Sequence, residues 1–140
     1  IRTSRTKSEP KNAAFIRVLV GKDTSHQRPY RYFIGVLHGS GGGMYAGSTV
    51  NKVDNYMQAI EGLDVFITAH AHKPYALRGS KLECDYRRNV MRQRPTLEMC
   101  SGSWLNYAGY PMRKMLRPTA MPGANKLLLY GNQFWFEAAV

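Results

Sequence analysis

A chain of 140 residues has room for one ordinary domain, and a composition of 44% hydrophobic and 21% charged residues is that of a globular chain, not a disordered or fibrous one. No apolar run approaches the roughly 20 residues that cross a bilayer, and no signal-peptide pattern opens the chain, so a membrane partner is not expected. Twenty Lys and Arg against nine Asp and Glu leave a formal charge of +11, which favours polyanions as partners: phosphates, nucleic acid or an acidic surface.

Residues 1–13 carry many charges and no apolar period; they read as a basic linker or tail. Phe15 to Val20 is a short β-type run stopped by Gly21, and the polar stretch 22–29, which contains His26, reads as a connection. Tyr30 to Leu37 is aromatic and aliphatic with few charges, the pattern of a strand covered on both faces. It ends at His38-Gly39-Ser40-Gly41-Gly42-Gly43, where four glycines in five residues permit a sharp turn and close approach to a ligand. Residues 49–62 then switch to helical period, with Val50, Val53, Tyr56, Met57 and Ile60 on one face. Ser48 or Thr49 suits the N-cap and Gly62 the position after the C-terminus. Asp64 to Thr68 is a second buried-type strand, ending at Ala69-His70-Ala71-His72.

Strand, helix and strand in this order imply two parallel strands joined by a right-handed crossover. Beyond Lys73 the pattern turns shorter and more β-like, with a hairpin expected at Gly79-Ser80. Further strands are expected at Thr96–Cys100, Lys126–Tyr130 and Phe134–Ala138, and Tyr107–Gly123, with three prolines, is expected to be irregular. The fold class is α/β: a βαβ unit followed by a mostly antiparallel portion.

Three of the four histidines directly follow strands of the βαβ unit. Parallel strands deliver their carboxyl ends to one edge, where ligands of open α/β sheets bind. His38 on one strand end therefore lies beside His70 and His72 on the other, and an extended backbone would project the last two to the same side. Neutral imidazole is the commonest transition-metal ligand, so the three are candidate metal ligands. Cys84 and Cys100 form no C-x-x-C pair; their number suits a reducing cytoplasm, and a disulfide between them is open if they face each other across a hairpin.

Leu37-His38-Gly39 with its glycine-rich loop, a helix, and Ala69-His70-Ala71-His72 closing a strand together resemble the calcineurin-like metallophosphoesterases, in particular phage-encoded and prophage members. The likeness covers about residues 14–140. Of the family's five signatures in order, the last two are present, with Ala69 where glycine is usual, and the first three (Asp-x-His, Gly-Asp-x-x-Asp and Gly-Asn-His) are absent. The resemblance implies that 14–140 is the C-terminal half of an αββα sandwich. It further implies that His38 and His70 ligate one divalent metal ion (Mn, Fe, Zn or Ni) and His72 a second. Gly39, Ser40 and Gly41 would lie against the phosphate ester substrate. The remaining ligands would belong to a missing N-terminal half, and without it self-association through an exposed sheet edge is expected. Ile1 in place of Met agrees with a removed start.

Two cations roughly 3.5–4 Å apart neutralise a phosphate ester and activate a water for attack, which is why this chemistry needs metal. Hard divalent ions such as Mn²⁺ also require carboxylate ligands, so three histidines form half of such a centre. Two other classes remain open. One is a basic nucleic-acid-binding or phage structural module, with Arg87, Arg88, Arg92 and Arg94 on phosphates and Tyr30, Tyr32, Trp104 and Tyr107 stacking on bases. The other is a phosphoesterase-like scaffold without activity.

Overall fold

The computed structural model describes residues 13–22, 28–39, 46–104, 108–114 and 123–140. In chain order the elements are β1 (Ala13–Val20), β2 (Tyr30–Leu37), α1 (Ala46–Ala59), β3 (Val65–Thr68), β4 (Tyr75–Asp85), β5 (Val90–Cys100), α2 (Tyr110–Arg113), β6 (Lys126–Leu129) and β7 (Phe136–Ala139). The first five strands form one mixed sheet in the order β1-β2-β3-β5-β4, and β6 and β7 pair separately. β2 runs parallel to β3, with Leu37 beside Thr68, and β3 runs parallel to β5, with Thr68 beside Cys100. The outer strands β1 and β4 are antiparallel to their neighbours. The fold is thus mixed α/β and mostly sheet, with the expected crossover from β2 through α1 to β3.

Alternation along the strands sends side chains to two different cores. Tyr32, Ile34, Val65, Leu97 and Met99 face one side and pack with Phe136 of β7. Phe66 and Leu63 face the other and pack with Val53 and Met57 of α1. Each large apolar side chain buried this way contributes roughly 1.5–3 kcal/mol. Coverage on both faces is the physical reason that β2 and β3 read as near-continuous apolar runs. Gly35 sits against the side chains of Phe66 and Leu63: a Cβ there would stand 2.7 Å from Phe66 Cδ2 and 3.0 Å from Leu63 Cδ1.

Two polar groups lock the layers. The fully buried Tyr32 lies with its hydroxyl 2.6 Å from the Tyr130 carbonyl and accepts the Trp135 N–H at 3.2 Å, while its ring stacks on Phe134 at 5.2 Å. This holds the β6–β7 hairpin on the sheet, and burial pushes the phenol up. Asp64, also fully buried, precedes β3 and reaches both neighbouring strands. Its N–H donates to the Phe33 carbonyl and its carbonyl accepts the Leu97 N–H, each at 2.9 Å. One carboxylate oxygen accepts the Phe33 N–H at 2.8 Å, and the other accepts Arg94 Nε at 2.7 Å and Nη2 at 2.5 Å. Burial pushes this carboxyl up, against the pull of the Phe33 N–H and the Arg94 guanidinium.

Several elements differ from expectation. Gly79-Ser80 does not turn; it lies within β4, and the hairpin turns at residues 86–89 instead. There Asp85 Oδ1 accepts the N–H groups of Arg87 and Arg88 at 3.2 and 3.3 Å, a local bond that folds the chain back, and Asn89 takes φ +52°. Cys84 and Cys100 are consequently opposite Met91 and Tyr75 on the β4–β5 ladder, and both are free. The helix starts at Ala46, so Ser48 and Thr49 are both inside it and neither is its cap. The carbonyls of Met57, in its last turn, and of Ile60, just past its end, accept from Lys81 Nζ of β4, a cation well placed at a helix C-terminus. A four-residue helix, α2, with Pro111 in its first turn, interrupts the stretch expected to be irregular.

Beneath α1 lies Glu98 of β5, 5% exposed, with Oε2 unpartnered. Burial first, and then the charge and hydrogen bond of Asp54, push its carboxyl up to about 7, against the pull of Lys81.

Two outcomes follow. Asp64→Ala, which strands the Arg94 guanidinium and the Phe33 N–H, should lower the urea-unfolding free energy by about 3–5 kcal/mol. A loss below about 1 kcal/mol would contradict the anchoring role. Because Glu98 holds its proton more tightly folded than unfolded, stability should fall as pH rises from about 4.5 to about 7. Glu98→Gln should remove this dependence, so that its advantage over the parent grows by up to ~3 kcal/mol between pH 5 and pH 8. A gap that stays constant over that range would count against it.

Candidate metal centre

The parallel register that pairs Leu37 with Thr68 brings the residues after them to the same edge. His38 leaves β2 directly, and Gly39 follows at φ +82°, where an added Cβ would stand 3.3 Å from the Ala69 carbonyl oxygen. Only a glycine lets the two strand ends approach this closely without strain.

The segment after β3 is not extended. The Ala71 N–H donates to the Ala69 carbonyl at 2.7 Å, closing a three-residue turn, and His70 and His72 both take left-handed backbone angles, φ +66° and +54°. Histidine visits this region more readily than most residues, but two such positions within three cost of order 1–3 kcal/mol each. The expectation that both rings project to one side rested on an extended backbone and does not hold here.

The turn brings His70 to His38. Nε2 of His38 and Nδ1 of His70 are 3.1 Å apart, with ring centroids at 5.1 Å and planes at 76°. Both residues are exposed. Two imidazole nitrogens bound to one ion at about 2.0–2.1 Å, at bond angles between octahedral and tetrahedral, stand roughly 2.8–3.4 Å apart. The pair therefore fits two ligands of one metal, and equally one N–H···N hydrogen bond between neutral rings. His72, half-buried, does not complete the set: among the described residues no three His, Cys, Asp or Glu side chains are grouped to hold a metal ion.

A cavity of about 370 Å³ opens beside the pair, between α1 and the strand ends, lined by Leu37, Gly39, Thr49, Lys52, Tyr56 and Thr68 among others. Of the residues expected to meet substrate, Gly39 lines this cavity; Ser40 and Gly41, with the rest of the glycine loop, lie outside the described residues, as do His26 and Tyr107. The third parallel strand ends here too, tied down by Asn125, whose side-chain amide donates to the carbonyls of Tyr75 and Cys100 at 2.9 Å each. Burial pushes the Cys100 thiol up, so this sulfur is an inert part of the edge.

Sequence reasoning missed the two buried acids, Asp64 and Glu98. A lone acid beside an apolar run gave the only signal for each, and it does not tell a buried anchor from a solvated end. Of the expected stacking residues, Tyr32 is buried in the core, Tyr30 is half-buried, and Trp104 is exposed just past β5.

No family model, curated protein or solved structure matches this chain.

The backbone at this edge predicts opposite responses to two substitutions. Gly39→Ala should cost about 1–2 kcal/mol in urea unfolding, since it adds a Cβ at a left-handed φ against the Ala69 carbonyl. His72→Gly, at a left-handed non-glycine position, should be neutral or stabilising by up to about 1 kcal/mol. Equal losses at both sites would refute this backbone geometry.

Proposed function

We propose that this chain forms part of a metal-dependent phosphoesterase, in which His38 and His70 are two ligands of one divalent ion at the carboxyl edge of the parallel strands. The observation that carries this reading is the 3.1 Å approach of His38 Nε2 to His70 Nδ1 from two strands 32 residues apart. A nucleic-acid-binding module needs no histidine at either strand end and leaves this placement unexplained.

On this reading the protein's own groups divide the work. His38 and His70 hold the ion; His72, one residue past the turn, serves a second one; Gly39 leaves the backbone bare where a phosphate approaches. The basic surface, at a net +11, draws anionic substrate toward the edge. Ions such as Mn²⁺, Fe, Zn²⁺ or Ni²⁺, when bound, supply the positive charge that neutralises the ester and activates water. No third His, Cys, Asp or Glu joins the pair among the described residues, and the carboxylates that hard ions require are supplied by the family's other motifs, outside these 140 residues. The αββα half-sandwich belongs to the same proposal.

The test is hydrolysis of nitrophenyl phosphate and bis-nitrophenyl phosphate with Mn²⁺. Residues 1–140 alone should turn over little or nothing. A longer chain that supplies Asp-x-His, Gly-Asp-x-x-Asp and Gly-Asn-His should be active, and His38→Ala or His70→Ala in it should lower the rate by about 100-fold or more. Turnover that survives both substitutions would overturn the assignment. A longer chain that binds Mn²⁺ and hydrolyses neither ester would make this an inactive scaffold.

A further inference from the structure

β4 and β5 are 11 residues each, but the ladder between β3 and β5 covers only Leu97 to Cys100. The ribbon from about residue 81 to residue 94 therefore has no third strand and projects past the sheet. It carries Arg87, Arg88, Arg92 and Arg94 together with Glu83 and Asp85, and these charges are not equivalent. Arg94 is held by Asp64 and Glu83, at 2.5 and 2.8 Å, and Arg92 by Asp85 at 3.2 Å. The second Asp85 oxygen accepts the backbone N–H groups of Arg87 and Arg88 and so turns inward. Both acids of the arm are thereby engaged in ion pairs within it. Arg87 and Arg88 have no ion-pair partner among the described residues, and Tyr86 beside them is 91% exposed.

We propose that this ribbon tip is a docking site for single-stranded nucleic acid, with Arg87 and Arg88 on backbone phosphates and Tyr86 stacked on an unpaired base. Guanidinium forks match phosphate oxygens, and an exposed ring beside two cations is the combination that grips a strand without reading its sequence. Duplex is disfavoured because its bases are already stacked. β5 runs from the tip to the histidine edge in 10 residue steps of roughly 3.3 Å, so the two sites are about 33 Å apart. Docking here is independent of the phosphoesterase reading and needs no metal. Arg92 and Arg94, expected from the sequence to contact phosphates, belong to the internal ion pairs of the arm.

The probe is a fluorescein-labelled 20-nucleotide oligothymidylate, followed by anisotropy with the 140-residue chain in EDTA from 50 to 300 mM NaCl. Binding should weaken with salt. The double substitution Arg87→Ala/Arg88→Ala should flatten the log K against log salt slope by about 1.4, the single-strand value for two phosphate contacts. Tyr86→Ala should weaken binding roughly 5- to 150-fold with the slope unchanged, which a purely electrostatic contact would not do. All three positions are exposed, so circular dichroism of the variants should match the parent. A parental slope in the double variant, or no binding at 50 mM NaCl, overturns the proposal. Tip-dependent binding of equal strength to polyglutamate or to phosphatidylserine vesicles overturns it as well, and reassigns the tip to an acidic protein or a membrane surface.

Discussion

The buried carboxylate of Asp64 sets the geometry on which the rest depends. Main chain and side chain together bond to Phe33 on β2, to Leu97 on β5 and to Arg94, so one residue fixes the relative height of three parallel strands. Parallel ladders are otherwise tolerant of slippage when their strands are short and uniformly apolar, and β3 has only four residues. With the register held at the amino end of β3, its carboxyl end falls beside Leu37 of β2, and His38 meets His70. A slip of one residue would send one imidazole to the opposite face. The distance between the anchor and the histidine edge is the length of β3 itself, so the precision of the edge derives from a group that takes no part in its chemistry.

Arg94 makes the arrangement self-consistent. A lone carboxylate at zero exposure would be driven to protonate, and the guanidinium, with its second fork on Glu83, keeps the charge paired. The same ion pair removes Arg94 from the surface and stiffens the base of the β4–β5 ribbon. The pairing in the core thereby decides which arginines of the arm are available to a ligand. The two ends of the molecule are built on one electrostatic knot: imidazoles at the carboxyl edge, and at the far tip cations without an ion-pair partner among the described residues.

Much of this layout is legible in the sequence, and the parts that are not have identifiable causes. The apolar run 30–37, the helical period after it and the short run 65–68 locate β2, α1 and β3, because each is long or apolar enough for its period to stand out against a single alternative. The adjacency of His38 and His70 follows from that crossover alone. The backbone of residues 69–72 is not legible, since left-handed histidines are uncommon and nothing local marks them. Gly79-Ser80 carries a turn signal that pairing overrides: β4 continues through it because Thr96 and Pro95 of β5 lie opposite, and the Asp85 side chain offers a better turn six residues on. Arg92 and Arg94 look like surface cations in sequence because their acids, Asp85, Glu83 and Asp64, are brought to them only by the folded ribbon and sheet.

The measurement that bears most directly on the paired imidazoles is long-range ¹H–¹⁵N correlation spectroscopy of the histidine rings during titration with Zn²⁺. If His38 and His70 are two ligands of one ion, His38 Nε2 and His70 Nδ1 should shift together and with the same midpoint, and either substitution by alanine should abolish the shift of the other. Rings that shift independently, or a pair that stays in its N–H···N hydrogen bond while Zn²⁺ binds elsewhere, would show that the 3.1 Å contact is structural and that the metal centre is not at this edge.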